Sequence, residues 1–164
     1  QICHQHDAGK WSAMGFRTEH YDVQLEVPVQ NKLEEVALDK ALSASLLKGL
    51  DAGRTEVPVD KERVSCSIKT GVPTSSGSAV IAQDGKTATL AVGQRKLAGF
   101  DMEVYSVFEA ARHATTRTAF FAVKAVVDDG GKNKGDSFHR VGCLLSAKFV
   151  VAAIRSGVAD VFKH

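Results

Sequence analysis

The sequence predicts a single α/β domain in three layers, αβα, with a mixed central sheet and helices on both of its faces. Three observations predict it. Residues 119–127 form a nearly unbroken apolar segment in which eight of nine residues are Ala, Val or Phe, the composition of a strand buried on both faces. Residues 21–29 and 63–71 instead alternate apolar and polar side chains, the pattern of a strand with one covered face. Residues 31–50, 104–113 and 137–154 carry apolar side chains at helical spacing. Residues 119–127 are therefore expected to form a central strand. They stop at Asp128-Asp129-Gly130-Gly131, and in open α/β sheets the carboxyl edge of the strands is where ligands bind.

Taken in order, residues 2–6 read as a short strand followed by a turn at Asp7-Ala8-Gly9-Lys10. His4 and His6 would share one face of that strand, but no second ligand cluster follows at a useful spacing, so no metal is assigned. In residues 21–29 the apolar positions are Tyr21, Val23, Leu25, Val27 and Val29, with Pro28 near the end. Residues 31–50 read as one helix, capped by Asn31 with Glu34 as its capping-box partner. Its apolar face is Leu33, Val36, Ala37, Ala41, Ala44 and Leu47, and Gly53 lies just past its end.

Residues 63–71 lead into a turn-rich stretch, 71–77. Asp84-Gly85-Lys86 is a further turn, 88–92 is short and apolar, and 94–96 is a run of polar and basic residues. Val104, Val107, Phe108 and Ala111 give residues 104–113 their apolar face. Residues 137–154 are expected to be capped by Asp136 or Ser137, to bury Phe138, Val141, Leu145, Phe149 and Ala152, and to end at Ser156-Gly157.

At 164 residues the chain is long enough for a full hydrophobic core and is expected to be one domain, 1–164. Its 44% apolar and 24% charged content is ordinary for a soluble globular protein. A net charge of +2 makes no electrostatic case for nucleic acid or a membrane surface, and no apolar run approaches the length that crosses a bilayer. Cys3, Cys66 and Cys143 are odd in number and lack CxxC spacing, so no disulfide framework is expected and a reducing, cytoplasmic compartment is.

Several stretches together carry a family resemblance. Phe100-Asp101-Met102-Glu103 precedes a helix of small residues, and Val123-Lys124-Ala125-Val126-Val127-Asp128 follows. Ser75-Ser76-Gly77-Ser78-Ala79-Val80, Arg95-Lys96-Leu97, Asp136-Ser137-Phe138-His139 and Ser146-Ala147-Lys148-Phe149 fit as well. In order and spacing, over about residues 70–155, the chain resembles the purine nucleoside phosphorylase superfamily. It is most similar to the hydrolytic branch, the methylthioadenosine/S-adenosylhomocysteine nucleosidases and related nucleosidase-like domains. Members of this family are longer, and their amino-terminal part holds the first strands and a glycine-rich phosphate or nucleophile loop. Nothing here matches that loop, so the expectation is a carboxyl-terminal portion lacking the amino-terminal strands, with a processed chain as the other reading.

The resemblance implies cleavage of the N-glycosidic bond of a purine nucleoside or thionucleoside, by hydrolysis, with phosphorolysis the sister possibility. That chemistry builds positive charge on the ribose and negative charge on the departing base. Two carboxyl groups in different environments serve the two demands, as in O-glycoside hydrolysis. By resemblance, Glu103 accepts hydrogen bonds from the ribose hydroxyls and Met102 packs beneath the sugar. Asp128 faces N7 of the purine as general acid, and Asp129 takes that place if the register is shifted by one. Asp101 matches an acid that orients the nucleophilic water. Ser78, Ala79 and Val80 form the wall against the base, where the family often places an aromatic residue.

An unperturbed aspartate, with a pKa of about 3.9, is ionised at neutral pH. Burial at a strand end is therefore expected to favour the neutral form of Asp128. Lys124, inside an apolar strand, is costly to bury unpaired and is expected to meet a carboxylate or reach solvent. His113 and His139 receive no role. The resemblance further implies a small-molecule nucleoside substrate with phosphate possible, no cofactor and a homo-oligomer. The alternative is a non-catalytic nucleoside-binding or interaction module on the same scaffold, to which the missing loop and missing aromatic point.

Overall fold

The computed structural model describes residues 24–48, 67–76, 97–116, 120–132 and 138–163. Their elements are α1 (Val27–Ala37), α2 (Lys40–Leu47), β1 (Thr74–Ser76), β2 (Gly99–Asp101), α3 (Val104–Arg112) and α4 (His139–Arg155), closed by a 3-10 helix, Val158–Lys163. The expected strand at 2–6, Gly53, the base wall Ser78-Ala79-Val80 and the turn at 84–86 lie outside the described residues.

Residues 31–50 form two helices rather than one. The first starts four residues early, at Val27, with Pro28 in its first turn, where a fixed φ and a missing N–H cost nothing. Asn31 is thus inside the helix, and Glu34 receives the Gln30 side-chain amide at 3.0 Å. Residues 27–29, expected at the end of a strand, are helical instead. The break falls at Asp39, whose extended backbone lets its carboxylate accept the N–H groups of Ala41 and Leu42 at 2.8 and 3.3 Å. An aspartate that caps a new helix competes directly with continuing the old one. Replacing Asp39 with Ala is expected to lower stability by about 1 kcal/mol, checked by urea unfolding.

Val29, Leu33 and Val36, spaced at helical period on α1, are buried with Leu46 of α2, Phe149 and Ala153 of α4, and Val158. Burying Leu46 stabilises by about 1.5–3 kcal/mol before entropy is counted. Ile68, Phe121, Val123, Leu145 and Phe162 pack around this cluster, with the rings of Phe121 and Phe162 stacked 6.4 Å apart. On α4 the covered stripe is Val141, Gly142, Phe149 and Ala153, so Ala153 takes the place expected of Ala152, and Phe138 sits at the N-cap without a side-chain cap bond. The expected caps Asp136 and Ser137 lie outside the described residues. The helix ends at Ser156, and Gly157 follows with φ 87°, a conformation that suits glycine.

Strands β1 and β2 pair in parallel, with Thr74 opposite Gly99, Ser75 opposite Phe100 and Ser76 opposite Asp101. In a parallel pair the inter-strand hydrogen bonds are evenly spaced and slanted. β1 falls in the stretch expected to be turn-rich. The turn itself is at Gly71, where φ is 60° and an added Cβ would come 2.5 Å from Gln30 Nε2.

Residues 120–129 join no ladder among the described residues, and their side chains alternate in exposure. Ala122, Lys124, Val126 and Asp128 face outward, with Val126 79% exposed, while Phe121, Val123, Ala125 and Val127 are half-buried. The segment is covered on one side, not on both as its composition suggested. The cover is α4: Val127 occupies the notch left by Gly142, and the Ala125 N–H donates to Ser146 Oγ at 3.1 Å. Apolar atoms make up much of any folded surface, so a run of Ala and Val does not by itself imply burial.

Candidate functional site

β1 and β2 both end where α3 begins, and side-chain hydrogen bonds fasten that junction. Asp101 Oδ1 accepts from Ser76 Oγ at 2.9 Å, from the Glu103 N–H at 2.9 Å and from the Val104 N–H at 2.7 Å. Ser76 Oγ in turn accepts from the Tyr105 N–H at 3.0 Å. Two N–H groups that the start of α3 would leave without partners are thus satisfied by Asp101. Asp101 Oδ2 is buried with no partner among the described residues. The aspartate expected to orient a water therefore builds the site: one of its oxygens is committed to the turn and to Ser76.

This turn presents Met102, 45% exposed, and Glu103 at the N-cap position of α3. Glu103 is exposed, and its carboxylate lies 2.6 Å from the Lys124 ammonium. The hydrogen bond from Lys124 holds the Glu103 carboxyl below the usual glutamate range, helped by the charge of Lys124 and by the backbone N–H groups of Met102 and Glu103; slight burial opposes this. Lys124 meets the carboxylate expected for it while remaining in contact with solvent. The arrangement is an ionised, fixed acceptor suited to hydroxyl donors.

The segment 120–129 passes this junction in reversed order: Val126 lies over Gly99, Lys124 reaches Glu103, and Phe120 packs on Phe108 of α3 with ring centroids 4.4 Å apart. Asp128 lies beyond Val126. It shares the outward face with Lys124, four residues away and about 13 Å along an extended chain. The structure does not join Asp128 to Glu103. Asp128 Oδ1 accepts the Gly130 N–H at 2.8 Å and Asp129 Oδ1 accepts the Gly131 N–H at 2.8 Å, two successive turns of the Asx type with Gly130 at φ 72°. Both aspartates are exposed, so the burial expected to keep Asp128 neutral is not supplied by the chain around it.

Ser76 is the site residue that the sequence reading passed over. It lies within a quoted motif, but its pairing with Asp101, 25 residues on, follows only from strand register. A groove of about 210 Å³ between α1 and residues 68–70, lined by Glu34, Ala37, Leu38, Ile68 and Thr70, shares no residue with this site. Among the described residues no group of three or more His, Cys, Asp or Glu could hold a metal ion, and no helix is long and apolar enough to cross a membrane. No protein-family model matches the chain, and comparison with curated proteins and with solved structures gives no match.

Proposed function

We propose that the chain is a nucleoside phosphorylase-like domain of the αβα type that cleaves the N-glycosidic bond of a purine nucleoside or thionucleoside, by hydrolysis before phosphorolysis. The observation that carries the reading is the Glu103 carboxylate, ionised and held at a strand–helix junction by Lys124. Such a group accepts hydrogen bonds from a ribose diol and stabilises positive charge as the sugar becomes oxocarbenium-like. Met102 beside it offers an apolar surface to the sugar, and Asp128 serves as acid to the base. Self-association, a cytoplasmic location and the absence of a cofactor belong to the same reading.

Glu103→Gln is expected to weaken both nucleoside binding and turnover, because the ribose contacts form in the ground state and tighten in the transition state. Binding calorimetry and purine release from adenosine, inosine and methylthioadenosine, with and without phosphate, test it. Unchanged affinity in Glu103→Gln would remove the ribose role. The pH dependence has a definite sign. A carboxyl group whose pKa is lowered by folding stabilises above the ordinary glutamate range, and that contribution is lost as pH falls through the lowered value. Glu103-dependent binding should therefore persist below the ordinary range, and Lys124→Ala should move its acid limb upward in pH. The pair is exposed, so its loss should cost at most about 1 kcal/mol of stability.

A second reading, a non-catalytic nucleoside-binding module, is favoured by the exposure of Asp128 and its engagement in a turn with Gly130. Binding without purine release in the unaltered chain selects it.

A further inference from the structure

We propose that Lys148 is a charge-dependent latch holding α2 against α4, and that α2 opens as a separate unit when that charge is removed. The Lys148 ammonium, carried on α4, donates to two carbonyl oxygens at the end of α2, Leu46 O at 3.1 Å and Lys48 O. Carbonyls in the last turn of a helix lack intrahelical donors and carry the negative end of its dipole, so an ammonium satisfies both their hydrogen bonding and their charge. Lys48, the C-cap of α2, has extended backbone (φ −64°, ψ 134°), which takes its carbonyl out of the helical ladder.

The rest of α2 is lightly anchored. Leu46 is its buried residue, 3% exposed, and Leu42 packs half-buried against the same cluster, while Ala41, Ala44 and Ser45 are exposed. The Asp39 cap holds the helix to itself rather than to the core, since it bonds the N–H groups of Ala41 and Leu42. The helix is therefore held by Leu46, by the half-buried Leu42 beside it and by the bonds from Lys148. A short element with few buried apolar contacts opens at lower free energy than the whole domain. Its opening withdraws Leu46 from the cluster that contains Phe149, the residue after Lys148, so the charge on one nitrogen decides whether that apolar surface is covered.

Amide hydrogen exchange of the full chain tests this, with Lys148→Gln, which removes the charge, and Lys148→Arg, which keeps it. The amides of residues 43–48 are expected to exchange about 10-fold or more faster in Lys148→Gln, the loss associated with hydrogen bonds to a charged group, while the amides of 145–153 are unchanged. In Lys148→Arg, exchange in α2 should stay closer to the unaltered chain than to Lys148→Gln. Unchanged exchange of 43–48 in Lys148→Gln overturns the proposal. So does a parallel rise in α2 and α4, failure of Lys148→Gln to fold, or an Arg variant that behaves like the Gln variant.

Discussion

Asp128→Asn is expected to lower the rate of purine release by about 10²–10⁴-fold, the range of general acid catalysis, with a much smaller change in nucleoside affinity. The substitution is a clean one here. Asp128 Oδ1 accepts the Gly130 N–H, and an asparagine carbonyl oxygen can keep that bond, so the turn retains its shape while the ionisable proton donor is lost. Asp128 is exposed, and a general acid at neutral pH needs a less solvated environment. On the proposed reading, a purine stacked over Asp128 would supply that cover. Single-turnover release from methylthioadenosine, beside calorimetric affinity, separates the two effects. An unchanged rate in Asp128→Asn would show that the proton comes from elsewhere, and Asp129→Asn is then the variant to compare.

Gly142→Val should destabilise the chain by about 1–3 kcal/mol, the usual cost of overpacking. Glycine and valine differ by only a few tenths of a kcal/mol in a helix interior, so propensity does not offset this. The collision is specific: a Cβ on Gly142 would run into Val127 Cγ1 and come within 3.4 Å of Ala125 Cβ. Val127 is β-branched and has little rotamer freedom with which to withdraw. Either α4 shifts or residues 125–127 lift away from it, and the second outcome also loosens the bond from the Ala125 N–H to Ser146. Thermal unfolding measures the loss, about 2–4 °C per kcal/mol for a chain of this size. Val127→Ala makes room, so the double variant should recover part of the stability. Strict additivity of the two changes would mean that the pair does not touch.

Much of the helical structure was legible from local rules. Val104–Arg112 and His139–Arg155 lie within a residue or two of their periodic apolar stretches, and Gly157 stops the last helix as a left-handed glycine should. Residues 31–50 show what such rules miss. Their apolar spacing continues from Ala37 to Ala41, but capping by Asp39 cuts the stretch into two helices.

The candidate site divides the same way. The sequence by itself determined that acids cluster before a helix and after an apolar run, and that a lysine between apolar residues meets a carboxylate or reaches solvent. Which carboxylate it meets was decided by tertiary structure. Lys124 reaches Glu103 across 21 residues because residues 120–127 pass the end of β2. Ser76 meets Asp101 because parallel register sets their strand ends side by side. Burial was decided there too, since a run of Ala, Val and Phe is compatible with one covered face or two. The notch at Gly142 covers Val127 and leaves Val126 and Asp128 in water. Hydrophobic pattern constrains which side chains can be buried, whereas the number of covered faces depends on what packs against them, and that is a property of long-range contacts.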